Sequence, residues 1–182
     1  MSLSHFVLAT AALAAVTSAP LAAKHPIVGG AAMSPARTIV QNASKANNLT
    51  TLVAAVKAAG LVDTLSSKGP FTVFAPTNAA FAKLPAGTVE TLVKPESKDT
   101  LTKILTYHVV PGRVTAGQIA SLAARNKGTA TLKTVQGGTL RFHKSGSGWA
   151  VMDAKGGMAR ITTANVFQSN GVVHVIDSVL MP

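Results

Sequence analysis

The 182-residue chain contains no cysteine, few aromatic residues and few acidic residues. The absence of cysteine excludes disulfides, thiolate metal sites and catalytic thiols. Six Phe, one Tyr and one Trp are too few for a surface that stacks nucleic-acid bases, so we expect no nucleic-acid partner. The six acidic residues are scattered singly and offer no carboxylate pair for acid–base catalysis.

Other catalytic and metal-binding patterns are also absent. The five histidines form no HxH or HExxH motif, and no serine lies in a GxSxG nucleophile elbow. His174 and Asp177 are near each other in sequence, but their side chains would face opposite sides of a strand. We therefore expect no catalytic centre, no bound metal and no cofactor.

The abundant residue types indicate a basic, globular domain. Apolar residues make up 47% and charged residues 13%, which excludes a chain disordered throughout. The net charge is +11 at pH 7, although no two Lys or Arg are adjacent. This charge indicates either a solvated surface or attraction to a polyanion such as an acidic polysaccharide or anionic lipid. The candidate polyanion-binding residues are Arg125, Lys127, Arg141 and Lys144.

The N-terminal segment has the composition of a secretory signal. Residues 1–23 contain no Asp, Glu, Lys or Arg, and an apolar run from Phe6 to Val16 is followed by small residues. The pattern predicts a signal peptide over residues 1–23, and the alternative is an uncleaved Ala-rich anchor. Residues 24–35, rich in Gly and Pro, are expected to form a flexible lead-in.

The rest of the chain has a helical first part and a β-rich second part. Leu101, Ile104, Leu105 and His108 follow the i, i+3, i+4, i+7 spacing of one helix face. After Gly128, short β-prone runs alternate with Gly-rich turns at a spacing typical of antiparallel hairpins. Because the helices come first and the strands follow, the order predicts an α+β fold.

Three stretches of the chain together resemble the fasciclin (FAS1) domain. They are GPFTVFAPTNAAFAKLP at 69–85, YHVVPGRVTAGQI at 107–119 and SNGVVHVIDSVLMP at 169–182. The resemblance covers residues 36–182. It implies a wedge of two small antiparallel β-sheets with several helices packed along one side, and an extracellular or periplasmic module used in adhesion and matrix contacts.

The resemblance also implies candidate contact residues. The family's Tyr-His segment, which has been linked to receptor binding, corresponds to Tyr107 and His108. The Asp-Ile pair that some members use in adhesion corresponds to Asn165 and Val166, so the carboxylate is missing here. The position of His108 on an apolar helix face favours a different interpretation, in which a buried histidine is satisfied by one or two hydrogen bonds.

We expect a secreted, non-catalytic binding or adhesion module that contacts a cell-surface or matrix component. The alternative is a carrier that holds a small lipid or pigment in an apolar pocket between helices and sheet. The oligomeric state is left open by the sequence.

Overall fold

The computed structural model of the protein describes residues 25–182, and the signal peptide predicted over residues 1–23 lies outside this range. The helices are Ile39–Ala43 (α1), Thr50–Ala59 (α2), Val62–Ser66 (α3), Asn78–Ala82 (α4), Thr88–Leu92 (α5), Lys98–Tyr107 (α6) and Ala116–Arg125 (α7), with a 3₁₀ turn at Pro95–Ser97. The strands are Ile27–Val28 (β1), Ala31–Ala32 (β2), Phe71–Pro76 (β3), Val109–Pro111 (β4), Thr129–Lys133 (β5), Thr139–Ser145 (β6), Gly148–Met152 (β7), Met158–Gln168 (β8) and Gly171–Ile176 (β9). None of these helices is both long and apolar enough to cross a membrane.

The α+β class is confirmed, but the sheet differs from the expected pair of antiparallel sheets. Seven strands form one mixed sheet in the order β4-β3-β9-β8-β7-β6-β5. β3 and β9 run parallel, from Phe71 opposite Gly171 to Pro76 opposite Ile176. The expectation of only antiparallel pairing was wrong at this pair, because hairpin spacing reports strands that are consecutive in sequence and these two are far apart.

The long strand β8 joins what would otherwise be two separate sheets. Its first residues pair with β7 and its later residues pair with β9, with register shifts between Ile161 and Thr163 and between Thr163 and Val166. Such bulges bend a strand and increase its twist. At the ends of the order, the Val135 N–H after β5 donates to the Val109 oxygen of β4 at 2.8 Å. The sheet therefore curves until its two outer strands meet, which gives it nearly the shape of a barrel.

The strongly apolar central strands pack on both faces. Val73 and Ala75 of β3 contribute to a core shared with α1, α2, α3 and α6. Phe74 points to the opposite face of the sheet, into a second core that includes Phe142 of β6 and Ile119 of α7. All six residues of β9 are buried. The strand β9 is central in the sheet, since it lies between β3 and β8.

Two asparagines supply helix caps from distant parts of the chain. The N-terminus of α2 has no side-chain cap of its own, and Asn78 Oδ1 accepts the Thr51 N–H at 3.0 Å. Asn170, in the turn between β8 and β9, accepts the Ile39 N–H of α1 at 3.0 Å and donates to the Leu65 oxygen of α3 at 2.7 Å. Capping bonds of this kind satisfy the free backbone groups of helix ends. They also fix the helices to the sheet.

The segment expected to be a flexible lead-in contains regular structure. β1 and β2 form a short antiparallel hairpin with Ile27 opposite Ala32. Val28 and Met33 are buried in the core that α1 and α2 also line. Glycine at positions 29 and 30 provides the positive φ angles of the turn, so the residues that indicated irregular chain are those of a hairpin.

Candidate functional site

Tyr107 is fully buried and joins the end of α6 to β6 and to the turn between β7 and β8. Its hydroxyl donates to the Thr139 oxygen and accepts the Ala154 N–H, both at 2.9 Å. Burial raises the pKa of the phenol, so the hydroxyl is neutral at physiological pH and available for both bonds. The side chain has no exposed surface for a macromolecular partner.

His108 is also buried, as its position on the helix face indicated. Its Nε2 accepts the Leu180 N–H at 3.0 Å, so Nδ1 carries the proton and donates to the Ile104 oxygen at 2.8 Å. Burial lowers the pKa of the ring to about 4, partly offset by the bond to Ile104. His108 therefore connects α6 to the C-terminal segment as a neutral ring.

Asn165 and Val166 lie at the second bulge of β8. Asn165 has a φ of 57°, a left-handed conformation that asparagine tolerates better than most residues. Its Oδ1 accepts the Ala116 N–H at the start of α7 at 2.9 Å. Val166 is fully buried in the core. Of this pair, only Asn165 is partly exposed, and its side-chain oxygen already has a partner.

The buried His174 connects Asn165 to the loop between β4 and α7. Its Nδ1 accepts the Asn165 N–H at 3.3 Å, and its Nε2–H donates to the Val114 oxygen at 2.8 Å. Burial lowers the pKa of this ring as well. Thr72 accepts the Val114 N–H at 2.8 Å and donates to the Gly112 oxygen at 2.7 Å. These side chains hold the loop between β4 and α7 in one conformation.

His174 and Asp177 make their hydrogen bonds with different residues. Asp177 accepts the Arg160 N–H at 2.8 Å and lies 3.7 Å from Lys83 Nζ. The partners of His174 lie elsewhere, at Asn165 and Val114. Across residues 25–182 no three His, Asp or Glu side chains lie close enough together to hold a metal ion.

The four cations singled out in the sequence are all exposed but do not form one patch. Arg141 and Lys144 are three residues apart on β6, so they fall on opposite faces of the strand. Lys144 shares its face with the buried Leu140 and Phe142, which is the side covered by α7. Arg125 ends α7, and Lys127 follows it in a left-handed turn. These four residues therefore do not share one surface.

The other side of β5–β8, which we call the outer sheet face, gathers a different set of cations. It carries Lys133, Arg141 and Arg160, all exposed. Three threonines also alternate onto this face, at Thr129, Thr131 and Thr139. Sequence reasoning missed Lys133 and Arg160. Strand alternation could have found them, because each falls on the opposite face from a buried alanine of its own strand, Ala130 or Ala159.

An apolar cavity of about 30 Å³ lies where the carrier hypothesis expects one, between the helices and β3. Its lining includes Val40 of α1, Val53 and Val56 of α2, Val73 of β3 and Leu105 of α6. That volume holds about one water molecule. A lipid or pigment would require the helices to separate from the sheet.

Comparison with known proteins places this geometry in a family. The fasciclin domain model matches residues 47–182. Protein sll1483 of Synechocystis is 51% identical over 164 residues, covering 87% of this chain and 81% of its own length. The cell surface glycolipoprotein MPB83 of Mycobacterium bovis is 36% identical over 157 residues, covering 85% of this chain and 64% of its own length.

Solved structures agree at the level of the fold. A FAS1 domain pair from the insect cell adhesion molecule fasciclin I superposes with a TM-score of 0.72 at 18% identity, covering 81% of this chain and 52% of that one. The three resembling stretches fall within the regions described above: β3 with α4, the end of α6 through α7, and β9 with its preceding turn. The chain belongs to the fasciclin domain family.

Proposed function

We propose that the protein is a non-catalytic adhesion module that works outside the cell by presenting a rigid surface to a cell-surface or matrix component. The observation that carries this proposal is that the polar side chains of the motifs are hydrogen-bonded to the backbone. Inside the fold, hydrogen bonds to backbone atoms occupy the polar groups of Tyr107, His108 and His174. They stabilise the surface and are not free to perform chemistry on a substrate.

The relatives support the adhesive role and the location. One solved relative is part of an insect cell adhesion molecule, and one curated relative is a cell surface glycolipoprotein. The uncharged, apolar segment over residues 1–23 fits export through a cleaved signal. N-terminal sequencing of exported protein should begin near residue 24, and an intact Met1 on membrane-bound protein would favour the anchor alternative.

The adhesive role can be tested by coating beads with the purified protein and counting retained cells or envelope fragments from the native host. We expect retention above that of beads coated with an unrelated protein of similar charge. His108→Ala, which damages the interior, should reduce retention only to the extent that it reduces the folded fraction. A variant that remains fully folded yet loses retention would identify His108 as a direct contact and contradict the proposed role of this residue.

The carrier remains the second candidate because the apolar cavity lies in the expected place. Its volume of about 30 Å³ argues against a resident lipid in this conformation. Native mass spectrometry of protein purified from its own host separates the two functions. A stoichiometric small molecule would favour the carrier, and an unliganded mass would favour the adhesion module.

A further inference from the structure

We infer that the outer sheet face binds an acidic polysaccharide, with Lys133, Arg141 and Arg160 as its cationic contacts. The inference rests on the proposed function, since it names the partner chemistry of an adhesive surface. It concerns a different set of residues from the buried Tyr-His segment and from most of the cations recognised in the sequence.

Positive and negative charges are separated along the chain. Residues 109–176 contain eight Lys and Arg and one acid, Asp153. Asp153 is buried, and its carboxylate accepts the backbone N–H groups of Lys155, Gly157 and Met181. It therefore presents little negative charge to the solvent. The other four acids before Asp177 all fall in the helical part of the chain.

Within residues 25–182 the three cations have no carboxylate side chain as a partner. In the range 25–182 the salt bridge found is Lys83 with Asp177, at 3.7 Å. Asp177 borders the outer sheet face and accepts the backbone N–H of Arg160, so one carboxylate is present at this edge. Lys133, Arg141 and Arg160 thus remain available to an external anion.

The register of the strands brings the three cations into one row. Lys133 lies opposite Thr139, two residues before Arg141 on β6. Arg160 lies opposite Ala150, which in turn faces His143, two residues beyond Arg141. The cations therefore follow a diagonal across β5, β6 and β8. From strand spacing and rise, the Cα atoms are separated by about 8 Å and then about 12 Å.

A diagonal row of separated cations suits an extended chain that carries a carboxylate or sulfate at intervals. The neighbouring Thr131 and Thr139 hydroxyls can donate to and accept from sugar hydroxyls, whereas the Thr129 hydroxyl already bonds to His143 at 3.3 Å. A membrane surface fits less well, because interfacial anchors are usually Trp, Phe or Leu. The outer sheet face carries the exposed Met158, which is none of these, and Trp149 packs partly buried against the inner core.

The test compares two triple variants that remove the same charge. One is Lys133→Gln with Arg141→Gln and Arg160→Gln, and the control is Lys45→Gln with Lys94→Gln and Lys103→Gln in the helical part. All six residues are exposed, so both variants should fold, which thermal unfolding followed by circular dichroism checks. Binding is measured by isothermal titration across a salt series, with polygalacturonate as the probe and dextran as the uncharged polymer.

We expect the wild type to bind polygalacturonate at low salt and to lose affinity steeply as salt rises. The outer-face triple variant should bind about tenfold more weakly, and the helical control should change much less. An equal loss in both variants would show that net charge rather than this face controls binding, and would overturn the inference. Binding to phosphatidylglycerol vesicles but not to polygalacturonate would overturn it in favour of a membrane.

The bead assay separates this inference from the proposed function. If wild-type beads retain cells but the protein binds no polygalacturonate at low salt, the outer-face inference fails and adhesion stands. If beads retain no cells while polygalacturonate binding persists and depends on Lys133, Arg141 and Arg160, the adhesion proposal fails and the polyanion site stands.

Discussion

At His108, burial keeps the ring neutral despite the hydrogen bond to the Ile104 oxygen, and this makes stability depend on pH. The pKa is about 4 in the folded protein, against an ordinary value of 6.5 in the unfolded chain. Between these values the unfolded state binds more protons, so the free energy of unfolding falls as the pH drops from 6.5 towards 4. The full effect is about 3 kcal/mol, and His174 acts in the same direction.

The His108→Ala variant should lose about 1–3 kcal/mol at pH 7, because the Leu180 N–H and the Ile104 oxygen lose a partner. Its stability should also depend less on pH between 6.5 and 4 than that of the wild type. Urea unfolding at pH 7 and pH 5 measures both effects. His143→Ala removes a partly exposed imidazole and is the control. An unchanged pH dependence in His108→Ala would contradict the assignment.

Asn78 provides a second prediction at the scale of one residue. Replacing it by Ala removes the cap of α2 and the bonds from its amide to the Asn47 oxygen and the Thr50 hydroxyl. We expect a loss of about 1–2 kcal/mol in the free energy of unfolding. Asn47→Ala, at an exposed neighbouring position, should change stability by less than about 0.5 kcal/mol. Equal losses in the two variants would mean that Asn78 does not cap α2.

Single residues were predictable from the sequence where the cause of their placement is local. The burial of His108 followed from the spacing of Leu101, Ile104 and Leu105 on one helix face. The role of Asn165 was not predictable, because its left-handed conformation and its bond to Ala116 require a bulge that only the pairing of β8 with β9 creates. The same applies to Asn78, whose partner Thr51 lies on another helix.

At the scale of elements, the parallel pair of β3 and β9 depends on a glycine. A Cβ on Gly171 would overlap the Phe71 carbonyl oxygen and would press against Ile39 of α1. We therefore expect Gly171→Ala to force the two strands apart and to cost at least about 2 kcal/mol. Urea unfolding measures the loss.

Gly148, the first residue of β7, is the matched control. A Cβ added there would have its nearest contact at 3.9 Å, from the Ser145 oxygen. Gly148→Ala should therefore leave the free energy of unfolding within about 0.5 kcal/mol of the wild type. If both substitutions are tolerated equally well, close approach at Gly171 is not what sets the spacing of β3 and β9.

The elements were predictable to different degrees for a physical reason. Helix spacing and Gly-rich turns are local signals, so α6 and the hairpins of β5–β7 were placed correctly. The parallel pairing of β3 with β9 joins strands separated by most of the chain and leaves no local signal. The hairpin of β1 and β2 was missed because Gly29 and Gly30 indicate irregular chain as readily as a turn.

At the scale of the whole molecule, the C-terminal segment joins parts of the chain that are distant in sequence. Leu180 is fully buried and donates to His108 at 3.0 Å, and the Met181 N–H donates to Asp153 at 3.0 Å. Deleting residues 180–182 should lower the free energy of unfolding by at least about 4 kcal/mol. Deleting Pro182 alone is the control, and it should have little effect on the thermal unfolding midpoint. If the protein that lacks residues 180–182 unfolds at the same midpoint as the wild type, the C-terminal segment does not have this role.

The closure between Val135 and Val109 has a consequence for how copies of the protein behave when crowded. An open sheet presents unpaired backbone groups that can template the addition of a strand from another chain. Here the two outermost strands, β4 and β5, are turned towards each other and share a hydrogen bond. Crowded copies of this sheet would therefore resist polymerising through the backbones of β4 and β5. Self-association through side chains is opposed at low ionic strength by the like charge of a net +11 protein.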